Sequence, residues 1–365
     1  MTDTRKLMEF FGFETDPIFG LDISSASVKV LQLGKSNGRI RVDHYGIESL
    51  PAGAVQEKSI NDRDKVAAAI KSAVTKAGIR SQKVCTSISN SIAITKIIKL
   101  PNSLTDKEIG LEIELESGKI IPYPISDVRL DYTVLGPTPN VEGMVNVLVA
   151  ATKAENVDSI SSIIIDAGLT PAIVDIDGYA IARAFDLVAR KLPEQGKDKM
   201  IAIFDIGATM STMNVIDNGD LVFVREQSFG SQQLVDEVQN IYGLTYDEAI
   251  QAMRYETLPK DYYREVLDPF KLSITTQISR ACQFFFSAGE YSTIDYIFLT
   301  GGFANTFGMD KVIQDRLQIK TFVANPFDDM VLSTNINKDE FKNLTLRMMK
   351  CCGLALRNVE QNDKY

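Results

Sequence analysis

The chain has 365 residues, and at roughly 100–200 residues per domain it is long enough for two or three compact units. Its 39 Lys and Arg against 48 Asp and Glu leave a net charge of −9, the wrong sign for a main partner made of DNA or RNA. One histidine, His44, excludes multi-histidine metal sites, and the four cysteines (Cys85, Cys282, Cys351, Cys352) lack CxxC spacing and read as reduced, buried thiols of a cytosolic protein.

The opening MTDTRKLMEFFGF lacks the long apolar core of a secretory signal. Leu7, Met8, Phe10 and Phe11 leave room for one amphipathic turn, a frayed terminus being the plainer expectation. Residues 18–42, IFGLDISSASVKVLQLGKSNGRIRV, then read as strand, tight turn, strand, hairpin, strand, with Asn37-Gly38 as the hairpin signal. A helix is expected over 62–77, where Val66, Ala69, Ile70, Ala73 and Val74 share a face. Partial alternation over 84–100 predicts strands, including one from Ser89 to Ile98. Thr105 and Glu108 form a capping-box pattern for a helix over 105–120, ending before Pro122. Strands over 128–134 and 144–150 and a helix over 154–167 follow.

Residues 201–224, IAIFDIGATMSTMNVIDNGDLVFV, repeat the first pattern with Asp205 and Asn218-Gly219 in place of Asp22 and Asn37-Gly38. In each copy the Asp ends a strand and small residues follow, which brings backbone N–H groups close to whatever lies above. Two such hairpins facing one another suit a polyphosphate and its divalent cation. Later, DYIFLTGGFANTFGMDKV (295–312) reads as a buried strand, a Thr-Gly-Gly turn and a helix beginning after Ala304. The longest run without a charge, 296–309, holds three glycines and is too short to span a membrane, which takes about 20 apolar residues. CCGLALR (351–357) reads as a small-residue helix that packs tightly on another.

These pieces, in this order and spacing, resemble the actin-like ATPase superfamily of actin, sugar kinases and heat-shock chaperones. GLDISSASVKV looks like its first phosphate loop, FDIGATMST its second and IFLTGGFAN its adenosine motif. VDIDGYAIARAF (174–185) and CCGLALR look like its two connecting helices. ESGKIIPYPISDVRLDYTVLG (116–136), LDISSASVKVLQL and ATKAENVDSISSIIIDAGLTPAIVDID are similar to the PilM family of type IV pilus assembly proteins.

The resemblance implies an α/β, actin-like ATPase fold: two lobes around a nucleotide cleft, with an FtsA-like inserted subdomain. The expected division is an N-terminal segment (1–16), a first subdomain (17–88 and 172–198), an α/β insert (89–171), a second subdomain (199–226 and 291–360) and a helical or mixed unit closing the cleft (227–290). It implies ATP and Mg²⁺ as cofactors, with Asp22 and Asp205 holding the metal through waters. Ser24, Ser25, Ser27, Gly207, Ala208 and Thr209 would cradle the phosphates. Lys29 either neutralises phosphate charge or, by strand alternation, points away. Gly301, Gly302 and Phe303 would line the nucleoside, Gly230 and Gln233 the ribose side, and Arg254 the base. Asp177 falls near the water-orienting residue of hydrolysing members, a helix N-cap being the plainer reading, so firm binding with slow or absent hydrolysis is expected.

The implied function is a cytoplasmic scaffold at the inner face of the inner membrane, in the platform that assembles pili for twitching motility. Its expected partners are the N-terminal peptide of PilN, other platform proteins and the pilus motor ATPases. A groove walled by Ser89, Ile92 and Ile94 on one side and Ile121, Pro122, Tyr123 and Pro124 on the other would take the peptide. A filament-forming FtsA-like protein and a small-molecule kinase are the alternatives. The polar RNVEQNDKY ending lacks the amphipathic membrane helix of FtsA relatives.

Overall fold

Asn37 and Gly38 both adopt the left-handed backbone (φ 50° and 74°) that a type I′ turn requires. That turn joins β2 (Ser27–Ser36) to β3 (Arg39–Ser49), with β1 (Phe19–Ile23) antiparallel to β2 on its other side. This computed structural model describes residues 17–56, 59–289, 291–304, 306 and 308–363; the expected N-terminal segment lies outside them. A short ladder, β4 (Val55–Gln56) with β5 (Ser59–Ile60), leads into α1 (Arg63–Ala77). Asp62 caps that helix by accepting from Lys65 N, and Gly78 closes it. β6 (Lys83–Ile88) then runs parallel to β1.

The strand expected from Ser89 begins only at Ala93. The Ser89 hydroxyl accepts from Ser91 N and starts a single 3₁₀ turn, Asn90–Ile92, before β7 (Ala93–Pro101). A subdomain then forms from α2 (Asp106–Ile120), β8 (Val128–Pro137) and β9 (Met144–Lys153), in a sheet of order β7-β9-β8. The Thr105–Glu108 capping box is present, and Ile109 and Ile113 bury one face of α2 on Leu100, Val147 and Val149. Gly118, in the last turn of α2, has open space where a Cβ would stand. Gly118→Ala is therefore expected to raise stability by about 0.5 kcal/mol, read as a higher denaturant midpoint at unchanged slope.

The sequence reading runs the insert to residue 171, and α3 (Ala154–Asp166), within that range, bridges the two units. It touches β8 and β9, while its Ile160, Ile163 and Ile164 join Val66, Ile70 and Val84 in the core of the first sheet. β10 (Thr170–Ile176) pairs with β6, and α4 (Asp177–Ala189) follows.

The second lobe repeats the plan. β11 (Met200–Ile206), β12 (Ser211–Asp217) and β13 (Asp220–Gln227) form the meander, with Asn218 and Gly219 at φ 50° and 88°. Three helices, α5 (Gln232–Tyr242), α6 (Tyr246–Arg254) and α7 (Asp268–Ser287), bury Leu234, Val238, Ala249, Phe270 and Ile278 against Phe204, Val215 and Leu299 of the sheet. β14 (Tyr296–Thr300) lies parallel to β11. α8 (Met309–Leu317) starts later than the sequence predicts, because Gly308 before it takes the left-handed backbone (φ 73°). β15 (Lys320–Val323) completes the sheet, β16 (Val331–Leu332) returns to pair with β3, and α9 (Lys338–Lys342) and α10 (Met349–Asp363) end the described chain.

The strand orders are β10-β6-β1-β2-β3-β16 and β15-β14-β11-β12-β13, with β16 outside the repeat. The duplication therefore extends from three strands, visible in sequence, to five. Between the sheets lie α4 and α10, which share a core with both: Leu31 and Leu33 from one, Ile203 and Phe298 from the other, with Ile181, Phe185, Cys351 and Cys352 between. Asp175, held by Arg183 of α4 and Arg357 of α10 at 2.9 Å each, ties β10 to both helices. All four cysteines are free and buried, as expected, and burial pushes the Cys282 thiol up to about 12, which leaves it unreactive. Among the described residues no helix is long and apolar enough to cross a membrane.

Candidate functional site

β1 and β11 end at corresponding points, so Asp22 and Asp205 face one another across the cleft between the lobes. A cavity of about 590 Å³ fills this cleft, a size typical of small-molecule sites. It is lined by Asp22, Ser24, Ser25, Ser27 and Lys29 from the first loop and by Asp205, Gly207, Ala208 and Thr209 from the second. The loops touch: the Thr209 hydroxyl donates to Ser25 Oγ at 2.9 Å. Across the floor, Gly301 (φ 93°) approaches so closely that a Cβ would stand 2.2 Å from Ile206 O and 2.8 Å from Asp205 Oδ1. Only glycine fits there, and Gly302 beside it lines the cavity.

The electrostatics centre on Asp22, which is 3% exposed. Lys29 Nζ lies 2.8 Å from its Oδ2 and 3.0 Å from Ser24 Oγ. Strand alternation leaves the direction of Lys29 open, and the structure turns it into the cavity. Lys350, at the start of α10, lies 2.8 Å from Asp22 Oδ1 and 3.2 Å from Asp177 Oδ1. Burial pushes the Asp22 carboxyl up, but the charges and hydrogen bonds of the two lysines outweigh it and hold the group well below the usual carboxylate range. Burial likewise opposes the charge on Lys350, and Asp177, Asp22 and Asp205 more than restore it, so its pKa is raised. Asp205 differs. Its carboxylate has no hydrogen bond or ion pair among the described residues, and burial, with Asp22 and Asp177 nearby, pushes it up against the pull of the lysines.

Asp177 is the first residue of α4 rather than its cap. Ile176 takes the N-cap position without a side-chain bond, and the Asp177 carboxylate instead accepts from Ser87 Oγ at 2.7 Å and meets Lys350. The fold thus draws it into the cleft, whereas the plainer sequence reading is a cap.

Four residues expected around the nucleoside do not line the cavity. Phe303 is 4% exposed and packs edge-on against Phe270, 5.1 Å between ring centres, because a large ring gains more in the core of the second lobe than at an open cleft. Gly230 packs against the Ala208 carbonyl, letting Ser231 N and Gln232 N bond Gly207 O and Ala208 O and pin the second loop to α5. Gln233 and Arg254 are exposed. Arg254 nonetheless stands close enough to Arg347 for its charge to be felt there. Sequence reasoning missed both Arg347 and Lys350. Arg347 lines the cleft beside Gly302, and its guanidinium has no hydrogen bond or ion pair among the described residues. Lys350 had a signal, a lone charge in the otherwise apolar stretch MMKCCGLAL.

The cavity continues past the phosphate loops to the 3₁₀ turn, where Ser89, Ser91 and Ile92 face Val55, Ile60, Asn156 and Ile160. Ser89 donates to Glu226 of β13 at 2.7 Å, and Asn90 Oδ1 accepts from Gly178 N at 2.8 Å, so this turn joins the insert to both lobes. The remaining expected groove residues lie apart from the cavity. Ile94 packs with buried Ile121 against Val128 and Ala151, and Pro122 and Pro124 are exposed. Tyr123 is exposed under Lys153, whose Nζ lies 5.2 Å from the ring centre.

The small-residue loops, the Gly301 approach, two lysines and the unpartnered Arg347 fit a nucleoside polyphosphate. They do not fit a Mg²⁺ water shell shared by Asp22 and Asp205, since an ammonium stands against each oxygen of Asp22. Among the described residues no group of three or more His, Cys, Asp or Glu is placed to hold a metal.

A family model described as type IV pilus assembly protein PilM matches residues 20–359. Among solved structures, the chain is similar to one from a PilM-PilN type IV pilus biogenesis complex, at 22% identity over 94% of this chain and 98% of that one, with a TM-score of 0.75. The ethanolamine utilization protein EutJ from Carboxydothermus hydrogenoformans is 13% identical over 93% of this chain and 88% of its own, with a TM-score of 0.53. MreB 5 of Spiroplasma citri, solved with AMPPNP bound, is 12% identical over 96% and 99%, with a TM-score of 0.51. These likenesses give the fold: an actin-like ATPase architecture of two lobes about a cleft.

Proposed function

The chain belongs to the type IV pilus assembly protein PilM family, and from that premise we propose that it is a nucleotide-binding scaffold of the pilus assembly platform that captures the N-terminal cytoplasmic peptide of PilN. The observation that carries this reading is the single cavity touching both phosphate loops and the insert turn. A nucleotide filling one end sets the spacing of the lobes, and with it the groove at the other end. The phosphates would lie against Ser24, Ser25, Ser27, Gly207, Ala208 and Thr209, with Lys29 opposing their charge. Gly301, Gly302 and Arg347 would meet the nucleoside. An extended peptide in the groove would meet Ile92, which is 45% exposed, and the polar Ser89, Ser91 and Asn156.

Hydrolysis is slow or absent in this reading. The one carboxylate near a water-orienting position, Asp177, is tied to Ser87 and Lys350. A general base must reach the water it activates, and a carboxylate engaged on Ser87 and Lys350 is held away from it. The site favours retention of the nucleotide as a structural ligand.

Calorimetric titration of a synthetic PilN N-terminal peptide into the ATP-loaded chain tests the proposal. A dissociation constant of about 1 μM or below, roughly −8 kcal/mol, is expected for the native chain. Ile92→Glu should weaken the peptide at least about tenfold while leaving nucleotide affinity unchanged, because Ile92 lies at the groove end of the cavity. Peptide affinity that is absent in the native chain, or indifferent to both nucleotide and Ile92→Glu, would overturn the coupled-cavity reading.

A further inference from the structure

We propose that Lys350 is the resident cation of the cleft, so that this chain binds a nucleoside polyphosphate without requiring a divalent metal. The inference rests on the nucleotide-binding reading above and concerns what neutralises the ligand. Asp22 has both carboxylate oxygens against ammonium groups, Lys29 on Oδ2 and Lys350 on Oδ1, each at 2.8 Å. For Asp22 to orient the water shell of a metal, it would have to give up a charge-assisted contact that is almost wholly out of water, leaving an uncompensated buried charge. A dication between Asp22 and Asp177 would also stand beside two ammonium groups, whose repulsion is little screened there.

The position of Lys350 is built rather than incidental. Its neighbours Met349, Cys351 and Cys352 are all buried in the core shared by the two sheets, so the start of α10 cannot swing out. Its ammonium lies between carboxylates from two different elements, Asp22 at the end of β1 and Asp177 at the start of α4. An ammonium carries three N–H donors. Lys29 donates two to Asp22 and Ser24, which leaves a third for a phosphate oxygen, and Lys350, at ion-pair distance from Asp22 and Asp177, lines the same cavity. Lys350 also counters the partnerless charge of Asp205, whose carboxylate would otherwise repel the phosphates.

The test measures binding of ATP and ADP to the full chain by calorimetry, in saturating Mg²⁺ and in EDTA, for the native protein, Lys350→Arg and Lys350→Met. The native affinity is expected to change by less than about threefold between the two conditions, and Lys350→Arg to behave alike. Lys350→Met should lose at least about 30-fold in EDTA and recover part of it with Mg²⁺, because two unneutralised carboxylates then offer a metal site. A parallel titration of Mg²⁺ alone should give no binding heat with the native chain and a measurable one with Lys350→Met. Native binding that falls more than about 30-fold in EDTA would overturn the inference while sparing the nucleotide reading. No nucleotide binding under either condition would overturn both. Should Lys350→Met not fold, the native comparison in Mg²⁺ and EDTA decides.

Discussion

Gly353→Ala is expected to cost at least about 3 kcal/mol of stability, though it adds one methyl group to a helix. A Cβ on Gly353 would stand 1.7 Å from Ala180 O and 2.5 Å from Ala180 C, both backbone atoms of α4. No rotamer relieves that contact, so α4 and α10 must separate. Separation opens the core in which Cys351, Cys352 and Leu356 meet Ile181 and Phe185, and a gap of about 0.5–1 Å already forfeits a quarter to a half of each contact. It also strains the bonds from Arg183 to Asp175 and to Gly353 O. The penalty appears as a melting temperature lowered by at least about 5 °C, or as insoluble protein. A variant melting with the native chain would show that the two helices are not in register contact. Gly118→Ala, the same change in open space, is the matched control.

Asp22→Asn is expected to destabilise the chain by about 3–5 kcal/mol, since it removes the charge facing the buried Lys29 ammonium and the half-buried Lys350 ammonium. Lys29 would keep only the Ser24 hydroxyl, and Lys350 only Asp177 among the close partners described here. The same substitution should alter the response to acid. The folded pKa of Asp22 lies below its ordinary value of 3.8, so its contribution is fully present above that value and is lost as pH falls below it. Asp175, held low against burial by Arg183 and Arg357, acts in the same direction. Asp205 has a raised pKa, so it destabilises when ionised and that penalty is relieved as pH falls. Unfolding free energies measured between about pH 5 and 2 should therefore fall for the native chain and fall less steeply for Asp22→Asn. Parallel profiles would mean that the Asp22 contacts with Lys29 and Lys350 contribute nothing to folding.

The legible parts of this protein were those whose cause is local. Asn37-Gly38 and Asn218-Gly219 needed only their own conformational freedom to make hairpins, and Thr105 with Glu108 made a cap across three residues. The small residues after Asp22 and Asp205 marked loops that line the cleft. The failures were contests between local pattern and tertiary gain. Ser89 reads as strand by alternation, yet its hydroxyl caps a turn and reaches Glu226 on the other lobe. Phe303 follows two glycines at a cleft, yet a ring against Phe270 removes more apolar surface from water. The apolar face of α3 was visible, but not which sheet it would cover.

The sequence by itself determined the strand–turn–strand units, their duplication and the family. Each of these is carried by residue type and spacing along the chain. Only the tertiary structure decided that the duplication runs to five strands, that Lys29 turns inward, and that Asp177 leaves its cap position for the cleft. It alone placed Lys350 against Asp22, from the far end of the chain. An ion pair of that kind depends on where α10 comes to rest, and that is set by close packing between residues distant in sequence, Gly353 on Ala180 and Gly20 on Cys351 and Ala355.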